Sequence, residues 1–244
     1  MRISGLVALL CAAVLSAFAQ QPAEVSITSE PSHHQVIQNE FVRVFDVTVA
    51  PKASTLVHRH TRDYLFVTLG DSDVINARTG AAPVPLKLKD GEIRFTPGNF
   101  AHAAINSSDK PFHNLTIELL KPSTNVQTCS DVCAVPAPCA AESGRQCPTI
   151  ERRISSDQWT ALYVTMPAGS RLDRHTHVAP HLVVAITELD FTQQVGDETR
   201  HTHVPAGGYA WVPAGLTHTL ANTGAQTAQF VAIDFNLPST GEQK

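Results

Sequence analysis

The chain has 244 residues, with 18 Lys and Arg against 22 Asp and Glu, a formal net charge of −4 at neutral pH. A mildly acidic chain without a basic stripe is a poor match for nucleic acid or an anionic membrane surface, which leaves small molecules as the better class of partner. Sixteen prolines, thirteen glycines and sparse charge, with no sustained helical periodicity, argue against a helical bundle and for a turn-rich β protein.

The first element in chain order is an export signal over residues 1–19. Arg2 gives a positive start, Gly5 to Leu15 an apolar core, and Ala17-Phe18-Ala19 a small-residue cleavage site before Gln20. The apolar core is shorter than the roughly 20 residues of a membrane helix. Cys11 lies inside it, but Ala8-Leu9-Leu10 lacks the small residue that precedes a lipidated cysteine. The expectation is a secreted or periplasmic protein with no membrane attachment once the signal is removed.

A polar arm carrying His33 and His34 follows, with no site assigned to it. Residues 36–120 then show short alternating runs such as Phe41 to Val49 and Ile117 to Leu120, broken by Gly, Pro and Asp turns. That pattern predicts a small β sandwich or barrel. Residues 121–149 form a linker rich in Pro, Ala and Cys. Its four cysteines, Cys129, Cys133, Cys139 and Cys147, are even in number, and in an exported protein they read as two local disulfides. Three pairings remain open, and a zinc knot with four thiolate ligands is the alternative.

Residues 150–237 repeat the pattern of 36–120. Gly91, Pro97, His102 and Asn106 recur as Gly207, Pro213, His218 and Asn222 at a fixed offset of 116. His58-x-His60 recurs as His175-x-His177, and Leu65-Phe66-Val67 as Leu182-Val183-Val184, at an offset of 117. The chain is a duplication.

Two histidines spaced by one residue point to the same face of a strand. His181 has the same parity, but four residues of straight strand would carry it roughly 13 Å past His177. The chain must therefore turn at Val178-Ala179-Pro180 and bring His181 back on the next strand. His218 arrives on a separate strand after Pro213-Ala214-Gly215, so four imidazoles can converge. The first half offers His58, His60 and His102, with Tyr64 in the place of His181. Asp63 beside it is a further outer-shell candidate, although its strand parity points it the other way. His201-x-His203 has no counterpart in the first half and reads as a surface pair. His113 aligns with Gln229 and lies outside the shared pattern.

These motifs resemble those of the cupin superfamily, G-x5-H-x-H-x3-4-E and G-x5-P-x-G-x2-H-x3-N. The second half reads Gly169-x5-His175-x-His177-x3-His181 and Gly207-x5-Pro213-x-Gly215-x2-His218-x3-Asn222, departing only at the glutamate. The first half has Lys52 and Asn99 where two of the glycines belong, and it also lacks the glutamate. The resemblance implies an all-β bicupin: two tandem jelly-roll barrels, or double-stranded β-helices, each with a metal inside one end.

An all-imidazole shell suits a divalent transition metal, Fe, Mn, Ni, Cu or Zn, over Mg or Ca. Without the glutamate the metal keeps its full positive charge, which favours an anionic ligand. Four-histidine cupins include oxidising enzymes and polyketide cyclases. The leading expectation is a metal-dependent oxidoreductase of dioxygenase type acting on a small anionic or enolisable organic substrate. A non-catalytic cupin that binds a small molecule or metal, and a metal-dependent isomerase or cyclase, are the alternatives. Substrate, metal identity and any homo-oligomeric state are left open, and the second site is expected to be the tighter, working one. Intact mass of the exported protein should show a chain that begins near Gln20; a chain retaining Met1 would refute the export signal.

Overall fold

A computed structural model describes residues 23–131, 133–140 and 146–236, so the export segment and the C-terminal end of the second half at Leu237 lie outside the described residues. Apart from one 3-10 turn at Ile27–Ser29, the described elements are all strands. No described helix is long and apolar enough to cross a membrane.

Alternation along the strands decides the architecture. In Val42–Val49, Val42 and Val44 face one way and Phe45, Val47 and Val49 the other, and all five are buried. A strand buried on both faces must lie in a sheet covered on both sides. The sheet that holds it has the order 33–38, 42–49, 112–119, 64–69, 93–96. A second sheet, ordered 25–26, 58–60, 100–106, 72–78, 84–88, closes over its inner face to make the first barrel. Two strands that begin before residue 36, Val25–Ser26 and His33–Gln38, thus belong to these sheets.

The second barrel repeats this plan. One sheet has the order 127–128, 149–155, 159–166, 228–235, 181–185, 209–212, with Ala134–Val135 also pairing onto Thr149–Ser155. The facing sheet has the order 171–176, 217–222, 189–195, 198–204. Two short strands from the cysteine-rich segment therefore line the edge of the first of these sheets. The cysteines are joined as neighbours, Cys129 to Cys133 and Cys139 to Cys147, with Cα atoms 5.7 and 5.8 Å apart. Of the three pairings that composition leaves open, this one joins each cysteine to a sequence neighbour, at separations of 4 and 8 residues.

The two barrels share a core. The outer faces of the sheets that hold Val42–Val49 and Trp159–Met166 pack together through Val42, Val44, Leu65, Val67, Leu115 and Ile117 on one side and Trp159, Ala161, Leu182, Val184, Val231 and Ile233 on the other. Aromatic rings bridge the seam, with Phe95 at 5.8 Å from Trp159 and Phe41 at 6.0 Å from Trp211. Gly91, at φ +72°, meets the other barrel so closely that a Cβ would lie 2.8 Å from Tyr163.

The motif positions keep equivalent roles in both barrels. Asn106 donates to the carbonyls of Val49, Ala50 and Lys110, and Asn222 to those of Met166 and Gln226, tying strand ends together. Lys52 and Asn99 hold the left-handed conformation, φ 59° and 63°, that Gly169 and Gly215 adopt in the second barrel at 74° and 85°. The turn geometry survives loss of the glycine, at about 1 kcal/mol per residue.

Trp159 is 1 % exposed at the seam. Trp159→Ala should destabilise the protein by about 3–5 kcal/mol in urea unfolding. A change below about 1 kcal/mol would mean that the shared core is not what holds this face.

Candidate metal centres

Each barrel brings three imidazoles together by strand pairing. His58 stands directly opposite His102 on neighbouring strands, and His175 opposite His218. In the first barrel the Nε2 of His60 lies 3.1 Å from the Nε2 of both His58 and His102. In the second, the Nε2 of His177 lies 3.1 Å from those of His175 and His218.

The other ring nitrogens explain why these Nε2 atoms are free to act as ligands. His58 Nδ1 donates to the Leu56 carbonyl at 3.0 Å and His102 Nδ1 to the Asn76 side-chain oxygen at 2.7 Å. His175 Nδ1 donates to the Asp173 carbonyl at 2.7 Å and His218 Nδ1 to the Gln193 oxygen at 2.8 Å. A neutral imidazole with its proton on Nδ1 has a bare lone pair on Nε2. Two such lone pairs in each barrel therefore crowd a third nitrogen, which has at most one proton to offer. A shared cation relieves that crowding, and outer hydrogen bonds of this kind are how proteins orient metal-ligating histidines.

The fourth position differs between the barrels. Pro180 ends the turn after His177, and His181 opens the strand His181–Ala185, so its ring lies 4.2 Å from that of His177. In the first barrel Tyr64 occupies the equivalent place and stacks on His60 at 4.1 Å. Burial pushes the Tyr64 phenol up to about 12, so it stays protonated at neutral pH. Asp63 turns away and accepts the backbone N–H of Gly98 at 2.8 Å. His203 is exposed and pairs with Asp190, His201 is exposed against Thr192, and His113 pairs with Asp46, all away from both chambers.

Two participants escaped the sequence reading. His33, placed there in a polar arm, is 8 % exposed on the strand His33–Gln38 and faces into the first chamber. The nitrogens of His33, His58 and His60 lie within 4.8 Å of one another. The polar residues around it hid its burial, because the nearby carboxylate of Glu30 is itself buried and bonded to it. Asp234 is the second. It pairs in register with His181, and its carboxylate lies within 4.8 Å of the ligand atoms of His177 and His181. The repeat offset of 116 relates it to Glu118, which is fully buried in the first barrel and held there by Arg43. The residue opposite Asp234 is Thr160 where Glu118 faces Arg43, so burial without an arginine pushes the Asp234 carboxyl up to about 6.

The chambers also differ. The first, about 120 Å³, mixes polar groups such as Thr55, Asn76, Arg94, Asn114 and Thr116 with apolar walls from Val47, Phe66, Val74, Leu86 and Phe112. The second, about 180 Å³, is walled mainly by apolar residues including Leu172, Val183, Leu189, Phe191 and Phe230.

No protein-family model matches the sequence, and no curated protein does. Among solved structures, the cupin 2 conserved barrel domain protein from Leptotrichia buccalis is 10% identical, with a TM-score of 0.53 over 84% of this chain and 88% of that one. A mutant of salicylate 1,2-dioxygenase from Pseudoaminobacter salicylatoxidans is 12% identical, with a TM-score of 0.57 over 80% and 70%. Oxalate decarboxylase from Bacillus subtilis, with its Mn(II) centres, is 14% identical, with a TM-score of 0.52 over 86% and 76%. The chain has the two-barrel cupin fold that these likenesses share.

Burial, reinforced by neighbouring imidazoles, pulls His58, His60 and His102 down to about 4, 2 and 3. It pulls His177, His181 and His218 down to about 4, 3 and 4. An unfolded chain takes up protons at these histidines near pH 6.5 while the metal-free folded one refuses them, so stability falls as the pH drops from about 6.5 towards 4. Melting of chelator-treated protein should therefore shift to lower temperature between pH 7 and pH 5; an unchanged or rising melting temperature would contradict the buried neutral imidazoles.

Proposed function

We propose that this chain, two cupin barrels in tandem, is a metal-dependent oxidoreductase of dioxygenase type that acts outside the cytoplasm on a small anionic or enolisable organic compound. The observation that carries this reading is the convergence, in each barrel, of imidazole nitrogens spaced at 3.1 Å whose outer nitrogens are held by oxygen acceptors. Donors bound to one ion at about 2.1 Å sit roughly 3.0 to 3.4 Å apart, so the spacing fits a shared ion. His58, His60 and His102 would hold one in the first barrel, and His175, His177 and His218 one in the second, with His181 beside it.

A divalent transition metal supplies Lewis acidity and a docking point for an oxygen donor. Everything else falls to the chain. In the second barrel the apolar walls exclude water from the reacting group and strengthen electrostatic contacts inside. A cavity of roughly 150 Å³ accommodates a benzene ring, which limits a ligand in the 180 Å³ chamber to about one ring. Asp234, with its carboxyl near 6, can take or return a proton there at neutral pH. The cation left uncompensated by neutral imidazoles favours an anionic oxygen group. Salicylate, oxalate and the gentisate found in one salicylate 1,2-dioxygenase structure are small carboxylates of that chemistry, bound or consumed by neighbours of this fold. The disulfides Cys129–Cys133 and Cys139–Cys147 support a place outside the cytoplasm.

The larger apolar chamber, His181 and Asp234 point to the second barrel as the working one. His218→Ala should remove metal from that barrel and abolish turnover, His181→Ala should weaken metal binding by a smaller factor, and His102→Ala should leave most turnover in place. Metal content and oxygen uptake against a panel of small aromatic and aliphatic hydroxy acids would check this. Turnover without oxygen uptake would favour an isomerase or cyclase, and tight metal with no turnover a binding protein. Loss of activity in His102→Ala with activity intact in His218→Ala would move the reaction to the first barrel.

A further inference from the structure

The chain enters the first barrel through a segment that is polar in sequence and buried in space. Ile27 anchors it in the barrel core at 3 % exposure, and Glu30 and His33 follow at 3 % and 8 %. A buried carboxylate is tolerated only when hydrogen-bonded. Glu30 meets that condition with three donors. Its Oε1 accepts the N–H of Leu56 at 3.0 Å, and its Oε2 accepts the N–H of Ser32 at 2.9 Å and Nδ1 of His33 at 2.6 Å. Burial raises the Glu30 carboxyl, but these donors outweigh it and leave it below its ordinary value. An ionised Glu30 fixes the His33 proton on Nδ1, and Nε2 is left as a bare donor on the opposite side of the ring. Among the described residues that Nε2 has no hydrogen bond. The ring lines the first chamber, 4.5 Å from the ring of His58, as close as His58 is to His102 at 4.6 Å.

Comparison of the repeats gives an independent argument. His33 pairs in register with Val47, and the residue paired with the equivalent Val164 is Ile150. Both His33 and Ile150 line their chambers. The first barrel therefore has tyrosine at position 64 and histidine at 33, while the second has histidine at 181 and isoleucine at 150. The imidazole absent from one chamber-facing position of the first barrel is present at another.

We propose that His33 is the fourth imidazole donor to a metal in the first barrel, and that Glu30 is its positioning residue. This rests on the metal-site reading above. A carboxylate behind a ligating histidine fixes its tautomer and raises its basicity, and loss of such a partner weakens metal binding by about 10–100-fold. The first site is then built by four imidazoles, not three, and its fourth ligand comes from the arm that precedes the repeated motifs.

The test uses the full mature chain carrying His175→Ala and His218→Ala, so that the first barrel alone is loaded, with one equivalent of Cu(II) as probe. Pulsed EPR counts the coordinated imidazoles, and competition with a chelator gives the affinity. Four imidazoles are expected, falling to three in His33→Asn, which keeps a donor for Glu30 but removes the Nε2 position. The affinity should fall in that variant, and Glu30→Gln should retain four imidazoles with binding weakened about 10–100-fold. Three imidazoles before substitution, or an unchanged count and affinity in His33→Asn, would overturn the assignment of His33 while leaving the metal site standing. The count in the unsubstituted barrel decides this even if His33→Asn fails to fold. No Cu(II) bound to the first barrel, in protein that melts cooperatively, would instead overturn the metal-site reading and this assignment with it.

Discussion

The side-chain alternation of the two central sheets is the constraint on which both the union of the barrels and the contents of their chambers depend. Every second residue of these strands is committed to the seam, as with Leu65 and Val67 or Leu182 and Val184. The residues between them are committed to a chamber, as with Tyr64 and Phe66 or His181 and Val183. A one-residue slip in register would send the chamber residues into the seam and the apolar residues into the chambers. The apolar seam thus fixes where His33 and His181 stand, while His58, His60, His102, His175 and His218 reach the chambers from the facing sheets.

The chambers then impose a chemical condition. Imidazoles buried this deeply stay neutral, since burial alone disfavours their charged forms. Oxygen acceptors from Leu56, Asn76, Asp173 and Gln193 orient four of them. The two carboxylates at the repeat-related positions 118 and 234 face different partners. Arg43 pairs with the first, whereas the second faces a threonine and burial pushes its carboxyl up to about 6. One duplicated position has become a structural ion pair in one barrel and a candidate proton carrier in the other.

Much of this was legible in the sequence. The spacings of His58, His60 and His102 and of their counterparts fix the strand faces, and a period of two needs no tertiary information. The turn at Val178-Ala179-Pro180 followed from the reach of a straight strand. His33 was not legible, because it is buried together with the carboxylate three residues before it, Glu30, and the segment reads as polar. Asp234 could have been found by extending the repeat to Glu118, but that comparison links two different acids in a region without other matching polar residues. The cysteine pairing was open because four thiols in a short segment admit three solutions, and only the pairing of Gln127–Thr128 and Ala134–Val135 onto the neighbouring sheet selects one.

The seam has a further consequence. Val42, Leu65 and Leu115 occupy in one barrel the positions that Trp159, Leu182 and Val231 occupy in the other, so the same patch of each repeat meets its own copy. That is the self-complementary contact of a symmetric pair of subunits. Two separate barrels would be held together only in proportion to their concentration. With both on one polypeptide, each barrel always finds its partner at a high effective concentration set by the connecting segment. The association survives any degree of dilution, and the two copies of the patch are free to diverge, as Val42 and Trp159 have done, because a change on one side is no longer imposed on the other.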